Sequence, residues 1–364
     1  MTVIESIGTA VPKYAHSQEA LCQFLGDNLP MEANVNALLR RMAGNSAIAN
    51  RHSVIPDFST KSEDWTFVKK SENSFDLGSV GSRMNAFFEH ALPLSLEAIQ
   101  SMNLQEDDLQ SITHLIAVTC TGIAAPGLDL QLMQALSLPP CVHRTGVQFM
   151  GCYAAIHALK QADYICRAEQ SARVLIVCTE LCTLHIQADS RIDNLASTLL
   201  FGDGAAAVLL SNQKFARKEP IFKILSFASR VVSSGLDQMA WNISDAGFLM
   251  NLGAYVPDLV GSGIGELLED LLLAKSGQTI SGWAIHPGGR KILEKVSTAL
   301  GISEKELVSS YKILKQFGNM SSPTVLFVIK EEHQRMNAAK ENGLVFSAAF
   351  GPGLTMESLL LEHA

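Results

Sequence analysis

Charge is scarce in this chain. Only 18% of its 364 residues are charged against 47% apolar, which excludes a disordered or fibrous protein. A basic excess is missing too. The 28 Lys and Arg face 36 Asp and Glu, a net charge of −8, so a general nucleic-acid binder is excluded. Any phosphate-bearing ligand must therefore be held by a local basic patch. No apolar stretch reaches the roughly 18 residues of a membrane span. The opening MTVIESIGTAVPKY lacks a basic start, an apolar run and a small-residue cleavage site, so no targeting segment is expected. No internal repeat of roughly 20 to 50 residues is present, which excludes solenoids and propellers. A disulfide framework is missing as well: the seven cysteines (Cys22, Cys120, Cys141, Cys152, Cys166, Cys178, Cys182) are odd in number and lie mostly inside apolar runs. A cytosolic, reducing setting is the expectation.

What is present is an alternation of short apolar runs and longer helical patterns. HLIAVTC (114–120), RVLIVCT (173–179) and AAAVLLS (205–211) read as buried strands, as do WAIH (283–286), TVLFVI (324–329), LVFSAAF (344–350) and ESLLLE (357–362). Continuous apolar strands belong to sheets covered on both faces, so the fold class is α/β. Helices are expected over 82–104, with Pro93 inside, and over 289–300. A third, over 151–167, is small and apolar nearly all round and belongs at the centre of the molecule. The length suits two fused halves, 1–212 and 213–364, with the changeover in the polar stretch 212–220.

Three segments could carry chemistry. In VQFMGCYAAIHAL, Cys152 stands where an apolar run meets the start of a helix, a place that favours a thiolate. WAIHPGG puts His286 at a strand tip before a Pro-Gly-Gly turn. FGNMSSPTVLFVI puts Asn319 in a Gly-Asn turn before a buried strand. Taken singly, a buried cysteine packs, a histidine caps a turn and an asparagine tolerates positive φ. Together, thiol, imidazole and carboxamide make an activated nucleophile with an oxyanion site.

These segments, with TCTGIAAPG (119–127), LFGDGAAAVLL (200–210) and AAFGPGLTMES (348–358), resemble the type III polyketide synthases, the chalcone synthase-like branch of the thiolase-fold condensing enzymes. The resemblance runs from about Ile4 to the C-terminus. It implies a thiolase-like fold of two related βαβ halves in five layers, αβαβα, and a homodimer. It implies that Cys152 takes a starter acyl group from coenzyme A. His286 would hold the thiolate and, with Asn319, stabilise the enolate formed when malonyl-CoA loses its carboxylate. The substrates would be acyl-CoA and malonyl-CoA, with no metal and no redox cofactor. Phe201 matches a gatekeeping phenylalanine, and Met250 stands where plant enzymes carry the second. Cys182 and His185 fall where plant enzymes have threonines, and Ala125 where they have a methionine reaching across the dimer. Cys120, Thr121, Ser321, Gly351, Pro352 and Gly353 complete the expected cavity. Arg51, Arg290 and Lys291 are the candidate cations for the coenzyme A phosphates. The rebuilt cavity points to a fatty acyl starter and an alkylpyrone or alkylresorcinol product.

Cys178, Cys182 and His185 lack a credible fourth ligand and a paired CxxC spacing, so a cavity wall is expected there rather than zinc. GSGIG (261–265) has no adequate strand before it and reads as a flexible helix entry, not a dinucleotide fingerprint. Two other functions compete. A single-step ketoacyl synthase using a carrier-protein-bound extender shares the Cys-His-Asn set. A non-catalytic binding subunit would be marked by loss of Cys152, His286 or Asn319, and all three are present.

Overall fold

The computed structural model describes residues 1–71, 74–236, 238–253, 255–273 and 278–363. Nine strands share one sheet: β1 (Thr2–Ala10), β2 (His114–Thr119), β3 (His143–Gln148), β4 (Arg173–Leu181), β5 (Asp203–Asn212), β6 (Phe222–Val231), β7 (Ile280–Ile285), β8 (Leu344–Gly351) and β9 (Thr355–His363). Their order is β7-β8-β9-β6-β1-β5-β4-β2-β3. The halves are joined between β1 and β6 by only two residue pairs, Val3 with Lys223 and Ile4 with Phe222.

The helices that cover this sheet are α1 (Gln18–Asn28), α2 (Val80–Gln100), α3 (Leu128–Ala135), α4 (Ala154–Ala168) and α5 (Ile192–Leu200) in the first half. The second half supplies α6 (Val256–Leu272), α7 (Arg290–Leu300), α8 (Val308–Phe317) and α9 (Thr324–Ala339). Strand alternation divides the apolar side chains into three cores. On β4, Val174, Ile176 and Cys178 join the central core with α4 and α9, while Leu175, Val177 and Leu181 join an outer core with α1, α2 and α3. On β8, Val345 and Ala349 face the central core, while Phe346, Ala348 and Phe350 face another outer core with α6 and α7. The order is therefore helix, sheet half, central helices, sheet half, helix. That is the five-layered thiolase-like arrangement.

Two sequence expectations change. TVLFVI is the start of helix α9, not a strand. Val325, Leu326, Phe327, Val328 and Ile329 are buried on successive sides because the first turns of α9 lie between the two sheet halves, whereas its later turns reach water at Gln334 and Asn337. Five β-branched or aromatic residues and a leucine in a row mimic a strand, and only the run's continuation into KEEHQRMNAA distinguishes the two. GSGIG lies inside α6 rather than at its entry. A Cβ on Gly263 would stand 3.1 Å from Met356 Sδ and Cε, so this glycine permits close approach of α6 to β9. The expected helix over 82–104 is α2, continuous through Pro93.

Candidate active site

Cys152 sits in the turn that leaves β3 and enters α4, two residues before the helix begins. The turn is tightly shaped: Phe149 and Gly151 have φ of 57° and 81°. A Cβ on Gly151 would stand 2.4 Å from Pro352 Cδ, and one on Gly351 only 2.7 Å from the Tyr153 ring. FGPGLT thus contributes backbone that packs against the cysteine turn. Pro352 lines the cavity, but Gly351 and Gly353 do not; they shape the turn behind it.

Asn319 approaches from the other half, in the turn between α8 and α9. Its Oδ1 accepts the Ser321 N–H at 2.7 Å, which leaves Nδ2 to face the sulfur of Cys152 at 3.8 Å. Ser321 has φ of 57°, a conformation uncommon for a residue with a side chain. Phe201 is bridged to Asn319 through the backbone, and Asn319 N donates to Leu200 O at 3.0 Å. His286 follows β7, and its N–H is bound to Ala348 O at 2.8 Å. It lines the same cavity, and neither ring nitrogen has a hydrogen-bond partner among the described residues. Gly288 leaves room for that ring: a Cβ there would stand 3.5 Å from His286 Cδ2 and 2.8 Å from Ile292 Cδ1.

The resting electrostatics depart from the sequence expectation. Burial pushes the Cys152 thiol up to about 11, only partly offset by hydrogen bonds from Ser321 and Asn319. Burial likewise pulls His286 down to about 3. Desolvation thus works against the expected thiolate and imidazolium, and it outweighs the helix end that begins two residues after Cys152.

The remaining expected residues divide cleanly. Phe201, Met250, Cys120, Thr121, Cys182 and Ser321 all line the cavity. His185 lines it too, but as a fixed wall. Its Nε2 donates to Thr121 O at 2.8 Å, its Nδ1 accepts the Phe248 N–H at 3.1 Å, and its ring stacks on Phe248 at 4.1 Å. Cys178 faces the central core while Cys182 faces the cavity, so the Cys178, Cys182 and His185 set does not converge. Arg51 is a correction. Its side chain is fully buried and lines the cavity, so it cannot meet phosphates at an exposed mouth. β-strand alternation within 50–53 turns it inward with Ser53, against the carbonyl of Thr198. Arg290 and Lys291 are exposed at the start of α7, beside the cavity-lining Gly288. Arg290 pairs with Glu294 at 2.7 Å.

Glu180 carries no expected role from sequence, yet it underlies the site. Its fully buried carboxylate accepts the Cys120 N–H and the Thr121 hydroxyl at 2.8 Å, and the Ser322 hydroxyl at 2.7 Å. The hairpin 239–252 supplies Trp241 and Phe248, which close another side of the cavity.

With this geometry in place, the comparisons with known proteins are decisive. Residues 1–213 match chalcone and stilbene synthases, N-terminal domain, and residues 223–364 match the C-terminal domain of the same group. The chain belongs to the chalcone and stilbene synthase family. It is a type III polyketide synthase, a condensing acyltransferase that extends an acyl-CoA iteratively with malonyl-CoA and cyclises the product. It is 30% identical to the alpha-pyrone synthesis polyketide synthase-like Pks18 of Mycobacterium tuberculosis, over 100% of this chain and 91% of that protein. It is 29% identical to probable polyketide synthase 1 of Dictyostelium discoideum, over 98% of this chain but only 11% of that much longer protein. Among solved structures, PKS-I of the brown alga Ectocarpus siliculosus matches with a TM-score of 0.90 at 29% identity, over 100% of this chain and 98% of that one. The C-terminal type III domain of Steely1 from Dictyostelium matches at 0.87 and 27%, over 100% and 99%. The single-step, carrier-dependent alternative is not favoured by these relatives.

Proposed function

We propose that Cys152 is the nucleophile of this polyketide synthase and that His286 and Asn319 form its oxyanion site. The observation that carries this reading is their convergence: three segments from both halves meet at one buried cavity, with an amide donor 3.8 Å from the sulfur and an unpartnered imidazole facing inward. His286 takes the thiol proton as the sulfur attacks the starter thioester, and coenzyme A leaves as its thiol. When malonyl-CoA then loses carbon dioxide, the charge develops on the thioester oxygen. The two aimed donors stabilise it. The resulting enolate attacks the acyl-cysteine, the carbon–sulfur bond breaks, and the longer chain returns to Cys152 for the next round. No metal or redox group is required by these steps.

A fatty acyl starter and an alkylpyrone-type product are the finer part of the proposal. The cavity continues past the reacting groups to apolar side chains such as Leu21, Phe58 and Ile186, and the relative Pks18 is named for alpha-pyrone synthesis. Arg290 and Lys291 are proposed for the coenzyme A phosphates. A homodimer is proposed on the exposed edge of β3, where five of six residues are open to solvent and an unpaired strand edge calls for cover. No helix among the described residues is long and apolar enough to cross a membrane, and a cytosolic setting is proposed.

Product mass spectrometry with isotope-labelled malonyl-CoA and a panel of short, long and aromatic acyl-CoAs, without carrier protein, tests the reading. Products carrying two or more labelled acetate units on a long acyl starter are expected. Turnover only after a malonyl carrier protein is added would overturn it.

A further inference from the structure

Arg51 is fully buried, lines the cavity, and is satisfied at one corner of its guanidinium only. Nη1 donates to Thr198 O at 2.6 Å, whereas Nε and Nη2 are buried without a hydrogen-bond partner. Those two nitrogens make up one edge of the guanidinium, and their parallel N–H groups match the two oxygens of a carboxylate. Among the described residues no acidic side chain acts on the group. Burial alone sets its basicity, pulling it to about 9, so it is still a cation at neutral pH. A buried cation with no counter-charge is costly, and its fork is shaped for a charge that a ligand must bring.

Its place in the fold is equally specific. The Cβ of Arg51 stands 3.1 Å and 3.8 Å from where side chains would begin on Gly202 and Gly318. Those glycines adjoin Phe201 and Asn319, so Arg51 is rooted beneath both turns that frame the reacting sulfur. His286 is in the same condition: buried, with two unpartnered nitrogens on the same cavity. One set of donors suits the thioester oxygen, and the other suits a second negative charge. A fatty acyl starter has no such charge, and the coenzyme A phosphates belong to an exposed mouth. The extender does carry one.

We propose that Arg51 receives the malonyl carboxylate before it is lost. Resting on the assignment of this cavity to decarboxylative condensation, the step balances as follows. The bond from the carboxylate to the α-carbon breaks, its electron pair passes toward the thioester carbonyl, and the oxygen takes the charge between His286 and Asn319. Carbon dioxide leaves neutral and is no longer held by the fork. Arg51 therefore holds the bound ground state more tightly than the transition state, and its removal raises KM while kcat stays level or rises.

The test is carbon dioxide release from malonyl-CoA by Arg51→Gln and Arg51→Lys, alongside starter loading of Cys152 by intact-protein mass spectrometry. Arg51→Gln is expected to raise the KM for malonyl-CoA by about tenfold or more with kcat level or raised, as loss of a charge-assisted ground-state contact implies. Lysine should restore part of the affinity, and loading should match the wild type. A folded Arg51→Gln enzyme with wild-type KM, or one whose defect lies in kcat, overturns the proposal. If Arg51 variants do not fold, a second arm decides on a chain that keeps this arginine. On Cys152→Ala protein, which cannot be acylated, succinyl-CoA is expected to bind about tenfold tighter than butyryl-CoA, and equal binding overturns the assignment. Failure of the wild type to load any starter on Cys152 would instead overturn the condensing mechanism, a result separable from either arm.

Discussion

Glu180 and Ser322 tie a strand of the first half to the turn that carries Asn319 in the second: the Ser322 hydroxyl donates to Glu180 Oε1 at 2.7 Å. Glu180 is the last residue but one of β4, and Ser322 lies three residues beyond Asn319. The other carboxylate oxygen accepts from Cys120 N, Thr121 Oγ1 and, at 3.3 Å, Thr119 Oγ1. Burial raises the pKa of Glu180, and these four donors oppose that rise. Glu180→Ala leaves several buried donors unpaired and is expected to cost about 2–4 kcal/mol. Glu180→Gln keeps the shape but turns an NH2 group toward other donors, and should cost about half as much. Urea unfolding monitored by fluorescence measures both. A Glu180→Ala protein as stable as wild type would show that this network is not a tie between the halves.

Asn319→Ala removes an amide donor 3.8 Å from the sulfur. Loss of one oxyanion donor typically lowers turnover by about 10²–10³-fold. Malonyl-CoA decarboxylation is expected to fall by that amount, while Cys152 still accepts an acyl group. Single-turnover acylation followed by mass spectrometry separates the two steps. If loading and decarboxylation fall equally, Asn319 serves the cysteine and not the enolate.

Acid should destabilise the protein through its buried histidines. The unfolded chain protonates each histidine as pH falls through about 6.5, whereas His185 and His286 stay neutral down to about 3 in the fold. Their contribution is complete above pH 6.5 and is lost as pH falls toward 3. Asp203 acts in the opposite sense. Burial raises it from 3.8 to about 6, so its contribution is complete below pH 3.8 and is lost as pH rises through 6. Glu180, raised by burial, acts with Asp203, while the lowered His16, His114, His333 and His363 act with His185 and His286, so the histidines outnumber the raised carboxyls between roughly pH 6 and 4. Unfolding free energy measured across that window should fall on acidification. His286→Gln removes one of these histidines and should flatten the profile.

The site was legible in sequence where local patterns carry it. A glycine before Cys152, a Pro-Gly-Gly turn after His286 and a Gly-Asn turn at Asn319 each mark a side chain lifted off an element's end. Their meeting was not legible, because it depends on α4 and α9 lying side by side between two sheet halves. The same burial disguised the start of α9 as a strand, since helical turns without a wet face show no period of 3.6. Glu180 escaped because one acid in an apolar run gives no pattern until Cys120, Thr121 and Ser322 close around it. Arg51 was misplaced for a related reason. Composition says that arginines are solvated, and only the inward side of a short strand says otherwise.

Gly151→Ala tests how tightly the cysteine turn is held. The added Cβ stands 2.4 Å from Pro352 Cδ, and the glycine's φ of 81° suits few other residues. Strain and overlap together should cost about 2–4 kcal/mol. Because Pro352 belongs to the FGPGLT turn, part of that cost is relieved by moving Cys152 away from Asn319. Acyl loading should therefore fall more steeply than stability does. Pulse acylation compared with urea unfolding checks the order of the two effects.

Met250 offers a direct handle on the acyl-binding part of the cavity. It lies opposite Trp241 in the hairpin 239–252, and both residues line the cavity that Cys152 opens onto. A methionine there bends to suit its contents, whereas a phenylalanine ring keeps a fixed shape. Met250→Phe should therefore narrow the cavity without disturbing Cys152, His286 or Asn319. Each methylene that loses its place is worth about 1 kcal/mol or a little more, so discrimination should grow steadily with chain length. Competition between short and long acyl-CoA starters, read by product mass spectrometry, is expected to shift toward the short ones by about tenfold for every one or two methylenes that no longer fit. An unchanged product distribution would place the acyl chain elsewhere, along the Leu21 and Phe58 branch alone.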